Sequence, residues 1–426
     1  MEKLEAGVPD DAPASTRSWK LAFSAMGNRN YRYFYTGQTL SLIGTWTRTA
    51  ALGWVAYRAT NSAFLLGIVF MLNALPLLLF ATYAGSLADR IPKIRIFTVT
   101  SWFSLLSSAG LGLMLIFGPV HVGALMVFAL LWGLSTAFEM PARQTLMVEL
   151  VGKKDLVNAI ALNSAMVNTT RIVGPAIGGL LLGTVGAAWC FLLDALSYFA
   201  VLYALHKIEL PASHYEPKQI KASWAHTLEG FAYLRTNPSV ATAIALMAVM
   251  GTGGWAYQSQ MSAFVVSRLH LGETQYGWLL AVNGAGACAA SLVVAFQGAR
   301  IVRRRTLFIG AVLYSLFMIA FGAMHQFLPA AVLLFCAGFG IILFFSVGNS
   351  LVQTQSPDHL RGRLMGIWAL VFGGGMPLGS FWMGAVAERT NSGFALQLGG
   401  LFCLVGALVV FAIFRRRLRE GAAVAA

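Results

Sequence analysis

The chain has 426 residues, of which 58% are hydrophobic and only 11% charged. Soluble domains carry about a quarter charged residues, so a mean hydropathy of +0.70 excludes an ordinary water-soluble fold. A net charge of +14 raises nucleic acid as a partner, but the basic residues cluster between long apolar runs, which makes them topology signals and argues against nucleic acid.

A hydrocarbon core about 30 Å thick takes about twenty apolar residues per helix. The polar stretch 1–32, with Pro9 and Pro13, reads as a cytoplasmic tail; the apolar run behind it has no small-residue cleavage site and reads as a retained helix. Spans are expected over 33–57, 63–87, 95–117, 121–138, 158–183 and 187–205, forming an N-terminal six-helix bundle over 33–205. A cytoplasmic linker over 206–237 leads to spans at 238–266, 273–297, 306–325, 328–353, 363–386 and 393–414, a second six-helix bundle over 238–414, and a cytoplasmic C-terminal tail over 415–426. The expected fold is an all-α membrane protein with twelve transmembrane helices.

With the N-terminus inside, twenty-five of the thirty Lys and Arg residues fall on inner segments, and only Arg58, Arg268 and Arg389 on outer loops. The positive-inside rule then puts both termini in the cytoplasm. Arg303 to Arg305, and Arg415, Arg416, Arg417 and Arg419, stand at helix ends where they meet anionic lipid headgroups. Cys190, Cys288, Cys336 and Cys403 all lie inside apolar runs and act as small hydrophobes. The seven histidines lack metal-ligand spacing, and no catalytic triad, phosphate loop or ATP-binding motif is visible, so neither a metal, a cofactor nor an enzymatic activity is expected.

The two halves echo each other. Lys153-Lys154-Asp155-Leu156 enters helix 5 as Pro357-Asp358-His359-Leu360 enters helix 11, and a glycine-proline break follows in each, at Gly174-Pro175 and Met376-Pro377. Two six-helix halves repeated in parallel indicate a transporter with its cavity between them near the midplane.

Gly85-Ser86-Leu87-Ala88-Asp89-Arg90, after helix 2, resembles the loop 2-3 signature of the major facilitator superfamily, with Pro92 and Lys93 in place of the usual glycine and arginine. The resemblance implies a cytoplasmic latch built from Gly85, Asp89, Arg90 and Lys93, joined by Glu139 and Arg143 at the inner end of helix 4. Gly85 would permit close packing, and Asp89 would face the N-terminus of helix 11.

Arg171-Ile172-Val173-Gly174-Pro175-Ala176-Ile177-Gly178-Gly179 in helix 5 resembles the antiporter signature whose core is Gly-Pro-x-x-Gly-Gly, and implies export; the alternative is a proline-kinked packing helix. Gly44-Thr45-Trp46 and Ala51-Leu52-Gly53-Trp54 in helix 1, Pro141-Ala142-Arg143-Gln144 after helix 4, Asn158 to Ser164 entering helix 5, and Arg361-Gly362-Arg363 complete the pattern. Together they resemble the bacterial branch of enterobactin exporters and related drug-efflux proteins over nearly the whole chain. That branch implies export from a bacterial-type inner membrane, driven by protons.

An ionised group buried in a span costs several kcal/mol unless paired or facing water. Asp194 in helix 6 and Arg48 in helix 1 lie at depths differing by only about 5 Å at 1.5 Å rise per residue, which suits an ion pair. A nearby cation favours the ionised carboxylate, and burial without it favours the protonated one, so the pair is a candidate for proton coupling; the alternative is a fixed structural pair. Arg171, midway along helix 5, faces either the cavity or an internal contact. Trp255, Tyr257, Gln258 and Gln260 in helix 7, with Gln38 and Trp46 in helix 1, are cavity candidates that would suit a large amphipathic ligand. Each of these aromatics also fits an interfacial belt.

The expected function is secondary active export of a small amphipathic molecule by alternating access with proton antiport, from a monomer. A siderophore-like anion would use Arg171 and Arg48, and a cationic drug Asp194 and Glu139. The alternatives are a facilitator or importer of a small solute, or a non-transporting lipid-handling or sensor protein, because fold does not fix transport direction or turnover.

Overall fold

The computed structural model describes residues 23–118, 120–209, 231–297 and 303–424. Among them there are twelve long helices and no strand. Helix α1 is Arg29–Thr60, α2 Ala63–Arg90 and α3 Lys93–Phe117; α4 is Val122–Gly152 and α5 Asn158–Thr184. Then come α6 Ala187–Lys207, α7 Pro238–Ser267, α8 Glu273–Gln297, α9 Arg303–Gly322, α10 Phe327–Gln355, α11 Asp358–Arg389 and α12 Ser392–Val424. Eleven are long and apolar enough to cross a membrane. The remaining one, α1, is long enough, but its Thr, Tyr, Gln and Arg residues dilute it. Its polar side chains are sheltered: Gln38, Thr47 and Arg48 are all buried against neighbouring helices.

The helix starts follow local chemistry. Asn28 caps α1 by accepting from the amides of Asn30 and Tyr31, Ser62 caps α2 through Leu65 N, and Asn237 caps α7 just before Pro238 at its first turn. The left-handed φ of 49° at Asn61 ends α1, and that of 65° at Gly152 separates α4 from α5.

The helices differ from the expected spans at three places. Helix α4 continues to Gly152 rather than ending near 138, so Pro141 to Gln144 lie on a helix and not in a loop. Helix α12 continues to Val424 through its Arg cluster. Helix α7, expected as one regular span, changes its winding: a π-turn over Met250–Gly254 passes into a 3-10 stretch over Trp255–Gln260 before α-helix resumes at Met261. Gly251, Gly253 and Gly254 make this change possible. Side chains there would collide with Cys403 and Phe402 at Gly253, and the Tyr314 hydroxyl donates to the Gly254 carbonyl.

The repeat seen in the sequence is a repeat of packing. The small residues of α5 sit on α1, where Thr47 Oγ1 donates to Gly174 O at 2.9 Å and a Cβ on Gly174 would meet Trp46 and Ile43. The small residues of α11 sit on α7 in the same way, Gly375 against Gly251 and Thr252, and Gly379 against Thr252 and Ala256.

Across the halves, α5 meets α8 and α2 meets α11. These seams run along one face only, the face opposite the chain termini. Gly179 lies on Gly277, Gly183 on Thr274, and Gly67 between Ser380 and Gly384. Phe64 and Phe381 meet edge to face at 5.7 Å, and Trp54 lies 5.3 Å from Tyr276. Hydrogen bonds join the halves at this face, as in Ser262 Oγ to Gly53 O at 2.7 Å and Gln260 Nε2 to Ala63 O at 3.4 Å. Toward the termini the seams stop about half-way along the helices, at Leu77 and Leu78 of α2 and Arg171 of α5. Beyond that depth a Cβ on Gly85, Gly362 or Gly366 would meet nothing within 4 Å, and Ser164 and Thr169 of α5 are exposed. The halves therefore form a V, closed opposite the termini and open toward them.

Candidate functional site

The apex of the V is a cleft shared by α1, α2, α5, α7 and α8. Trp46, Arg171, Tyr257 and Gln258 line it, as do four residues not anticipated above: Thr49, Phe70, Tyr276 and Asn283. Arg171 is held between two tryptophans, its guanidinium carbon 5.1 Å from the ring of Trp46 in one half and 5.1 Å from that of Trp255 in the other. Tyr257 donates to Asn283 Oδ1 at 2.7 Å, and Asn283 Nδ2 donates to the Leu334 carbonyl at 3.1 Å, which fixes the tyrosine on the cleft wall. A polar Asn in the middle of an otherwise apolar helix is a sequence signal that marks this position.

Gln38 and Gln260 lie away from the cleft lining. Gln260 is fully buried at the seam with its amide toward Ala63 and Ser259, and Gln38 is buried within α1's packing surface. Both spacings had suggested cavity positions; the tightened 3-10 turn at Gln260 rotates that side chain away from the face presented by Tyr257.

Behind α1, wholly inside the N-terminal half, is a second polar centre. Arg48 Nη1 donates to Asp194 Oδ2 at 2.9 Å, with side-chain exposures of 7% and 0%. Ser108 of α3 donates to the same oxygen at 2.5 Å, Trp132 Nε1 of α4 donates to Ser108 at 3.1 Å, and the Arg48 guanidinium lies 4.5 Å from the Trp132 ring. Asp194 Oδ1 has no hydrogen-bond partner. Four helices thus converge on one carboxylate that keeps a free oxygen. The close approach of α1 to α6 depends on Gly44, where a Cβ would meet Ser197 and the Asp194 backbone. One turn of α1 serves both centres: Trp46 touches Arg171, Thr47 bonds α5, and Arg48 holds Asp194.

At the termini-bearing ends, Glu139 pairs with Arg143 along α4 at 3.6 Å, and Lys93 pairs with Glu149 at 3.0 Å. Gly85 and Arg90 lie on the last turns of α2, and the side chain of Asp89 is outside the described residues. A Cβ on Gly85 would meet nothing within 4 Å in this conformation.

The closed face has a clasp that no motif announces. Glu388 Oε2, at the end of α11, accepts from Ser62 Oγ at 3.0 Å and from the Phe64 amide at 3.1 Å, so the carboxylate seats on the N-terminus of α2 in the other half. Glu388→Ala is expected to weaken this face by about 1 kcal/mol, a loss read as several-fold faster labelling of a Phe64→Cys reporter.

Residues 20–426 match the family described as transmembrane secretion effector. The chain belongs to that family, within the major facilitator superfamily. The chain is 27% identical over 386 residues to the multidrug efflux pump Tap of Mycolicibacterium fortuitum, covering 87% of this chain and 91% of that one. It is 24% identical over 394 residues to the staphyloferrin A transporter of Staphylococcus aureus, covering 90% and 96%. With the enterobactin exporter EntS of Citrobacter koseri it shares 25% identity over 398 residues, covering 91% and 94%. The fold matches the nucleoside transporter NupG with a TM-score of 0.72 at 14% identity, covering 91% and 99%. It also matches a bacterial homolog of the human lysosomal transporter Spinster, described as inward-facing and unoccupied, with a TM-score of 0.71 at 15% identity, covering 92% and 98%. The chain is thus a multi-pass membrane protein of a secondary-transporter family.

Proposed function

We propose that this protein exports a small amphipathic molecule, siderophore-like or drug-like, by alternating access coupled to proton antiport. The observation that carries the reading is the V: two repeated halves joined along one face, parted along the other, with an aromatic, single-cation cleft at the apex. Such a structure loads from one side and, by rocking about the apex, releases to the other.

With both termini in the cytoplasm of a bacterial-type inner membrane, the open side is the cytoplasmic one, the side from which an exporter loads. Gly85, Asp89, Arg90, Lys93, Glu139 and Arg143 then form the gate that closes when the inner helix ends meet. Asp194 with Arg48 is the coupling centre, and Gly174, Pro175, Gly178 and Gly179 form the bearing surface of α5. The similarity to Tap, an efflux pump, and to EntS, an exporter, supports the direction.

The test is flux in proteoliposomes with the wild-type protein, using enterobactin and ethidium as probes under an imposed proton gradient. Saturable flux of a probe, abolished when a protonophore collapses the gradient, is expected. Gradient-independent equilibration would make it a facilitator, and binding without flux would leave the non-transporting reading.

A further inference from the structure

Resting on the transporter reading above, we propose that the cleft selects ligands carrying an anionic group, a carboxylate or an equally compact oxyanion on an aromatic or otherwise flat apolar body, and that Arg171 is the residue that receives it. Three observations converge. First, among the described residues Arg171 is the only charged one lining the cleft, with no Asp or Glu beside it. Second, among the described residues Arg171 has no carboxylate partner, and its Nε is buried without an acceptor. The other permanent cation at mid-span, Arg48, is by contrast neutralised by Asp194 at 2.9 Å. Third, the two tryptophans that flank Arg171 come from opposite halves of the protein, so the guanidinium is held at the apex in a fixed orientation while its hydrogen-bonding capacity stays unspent.

A permanent guanidinium in a span demands a counter-charge or water, and its planar fork matches a carboxylate in two-point geometry. Aromatic faces satisfy part of its charge and none of its N–H donors. The ligand supplies what the protein omits. Tyr257, Gln258 and Thr49 give neutral polar contacts around the same point, and Phe70 and Tyr276 give the apolar wall for the ligand body. A cationic drug would instead face an uncompensated like charge at the point where tryptophans of both halves flank Arg171.

The test uses three matched probes, 2-naphthoate, 2-naphthamide and 2-naphthylmethylammonium, titrated calorimetrically into the purified wild-type, Arg171→Lys and Arg171→Gln proteins in detergent. The wild-type protein is expected to bind the carboxylate about tenfold to a hundredfold more tightly than the ammonium, with the amide between. Arg171→Gln should erase that order while keeping the amide's affinity, which also shows that the variant is folded, and Arg171→Lys should restore part of it as a point charge without the fork. Equal or tighter binding of the ammonium, an order that survives in Arg171→Gln, or no binding of any probe would overturn the proposal. Counterflow of the same probes in proteoliposomes separates this from the transporter reading. Saturable flux without anion preference retains the transporter and removes the anion site; Arg171-dependent anion binding without flux does the reverse.

Discussion

Asp194→Ala is expected to destabilise the protein by about 3–5 kcal/mol, because it strands the Arg48 guanidinium inside the N-terminal half with no counter-charge. The double variant Arg48→Ala/Asp194→Ala should lose much less than the sum of the two single changes, since it removes both charges together. Thermal unfolding in detergent reads both. Asp194→Asn separates structure from coupling. The amide retains an oxygen for Ser108 and Arg48, which approach one carboxylate oxygen at 2.5 and 2.9 Å, but it cannot take up or release a proton. On the coupling proposed above, the unpartnered Oδ1 would take the proton when Arg48 moves away, and α1, whose one turn carries both Trp46 and Arg48, would link the cleft to the pair. Ligand-linked proton release from the purified protein is therefore expected to vanish in Asp194→Asn while ligand binding persists. Unchanged release would make the pair a structural anchor and send the coupling role to Glu139.

Gly179→Leu should reduce transport by about fivefold to over a hundredfold by opposing closure of the face opposite the termini. At this position α5 and α8 touch backbone to backbone: a Cβ would fall on the Gly277 main chain, which cannot yield as a flexible side chain would. Overpacking of this kind costs about 1–3 kcal/mol, enough to move a two-state equilibrium about fivefold to over a hundredfold. The shift has a sign. Gly179→Leu penalises the conformation seen here, whereas Gly85→Leu, at a site with open space around it, leaves this conformation untouched and penalises the one in which the inner helix ends meet. Spin labels at positions 59 and 390, exposed sites beside the clasp on the two halves, should move apart in Gly179→Leu and stay together in Gly85→Leu. Movement of the same sign in both would contradict the rocking mechanism.

Much of the architecture was legible because a bilayer imposes a simple rule: each span must be apolar and long enough, and basic loops mark one side. That rule placed all twelve helices within a few residues, except where α4 and α12 run on as helix past the membrane-length stretch. It could not foresee that Pro141 is accommodated inside α4, since helix length outside the hydrocarbon is decided by packing. Depth counting also suggested the Arg48–Asp194 pair, because two opposite charges at similar depth in apolar helices have few other solutions.

Other features depended on rotation about helix axes, which sequence depth does not reveal. Trp46, Arg171 and Trp255 are far apart in the chain and come from both halves, and only the docking of the two repeats stacks them. Gln260 looked equivalent to Gln258 until the 3-10 turn in α7 sent it to the seam. Glu388 looked like an ordinary charged helix end, and became a clasp because the start of α2 lies beside it. The sequence by itself determined the membrane class, the helix count, the repeat and the family pattern, because these follow from composition and short spacing. Tertiary structure alone decided which face is closed and that Arg171 sits between tryptophans of both halves without a carboxylate partner among the described residues, because each depends on how two bundles meet across a distance the chain order does not encode.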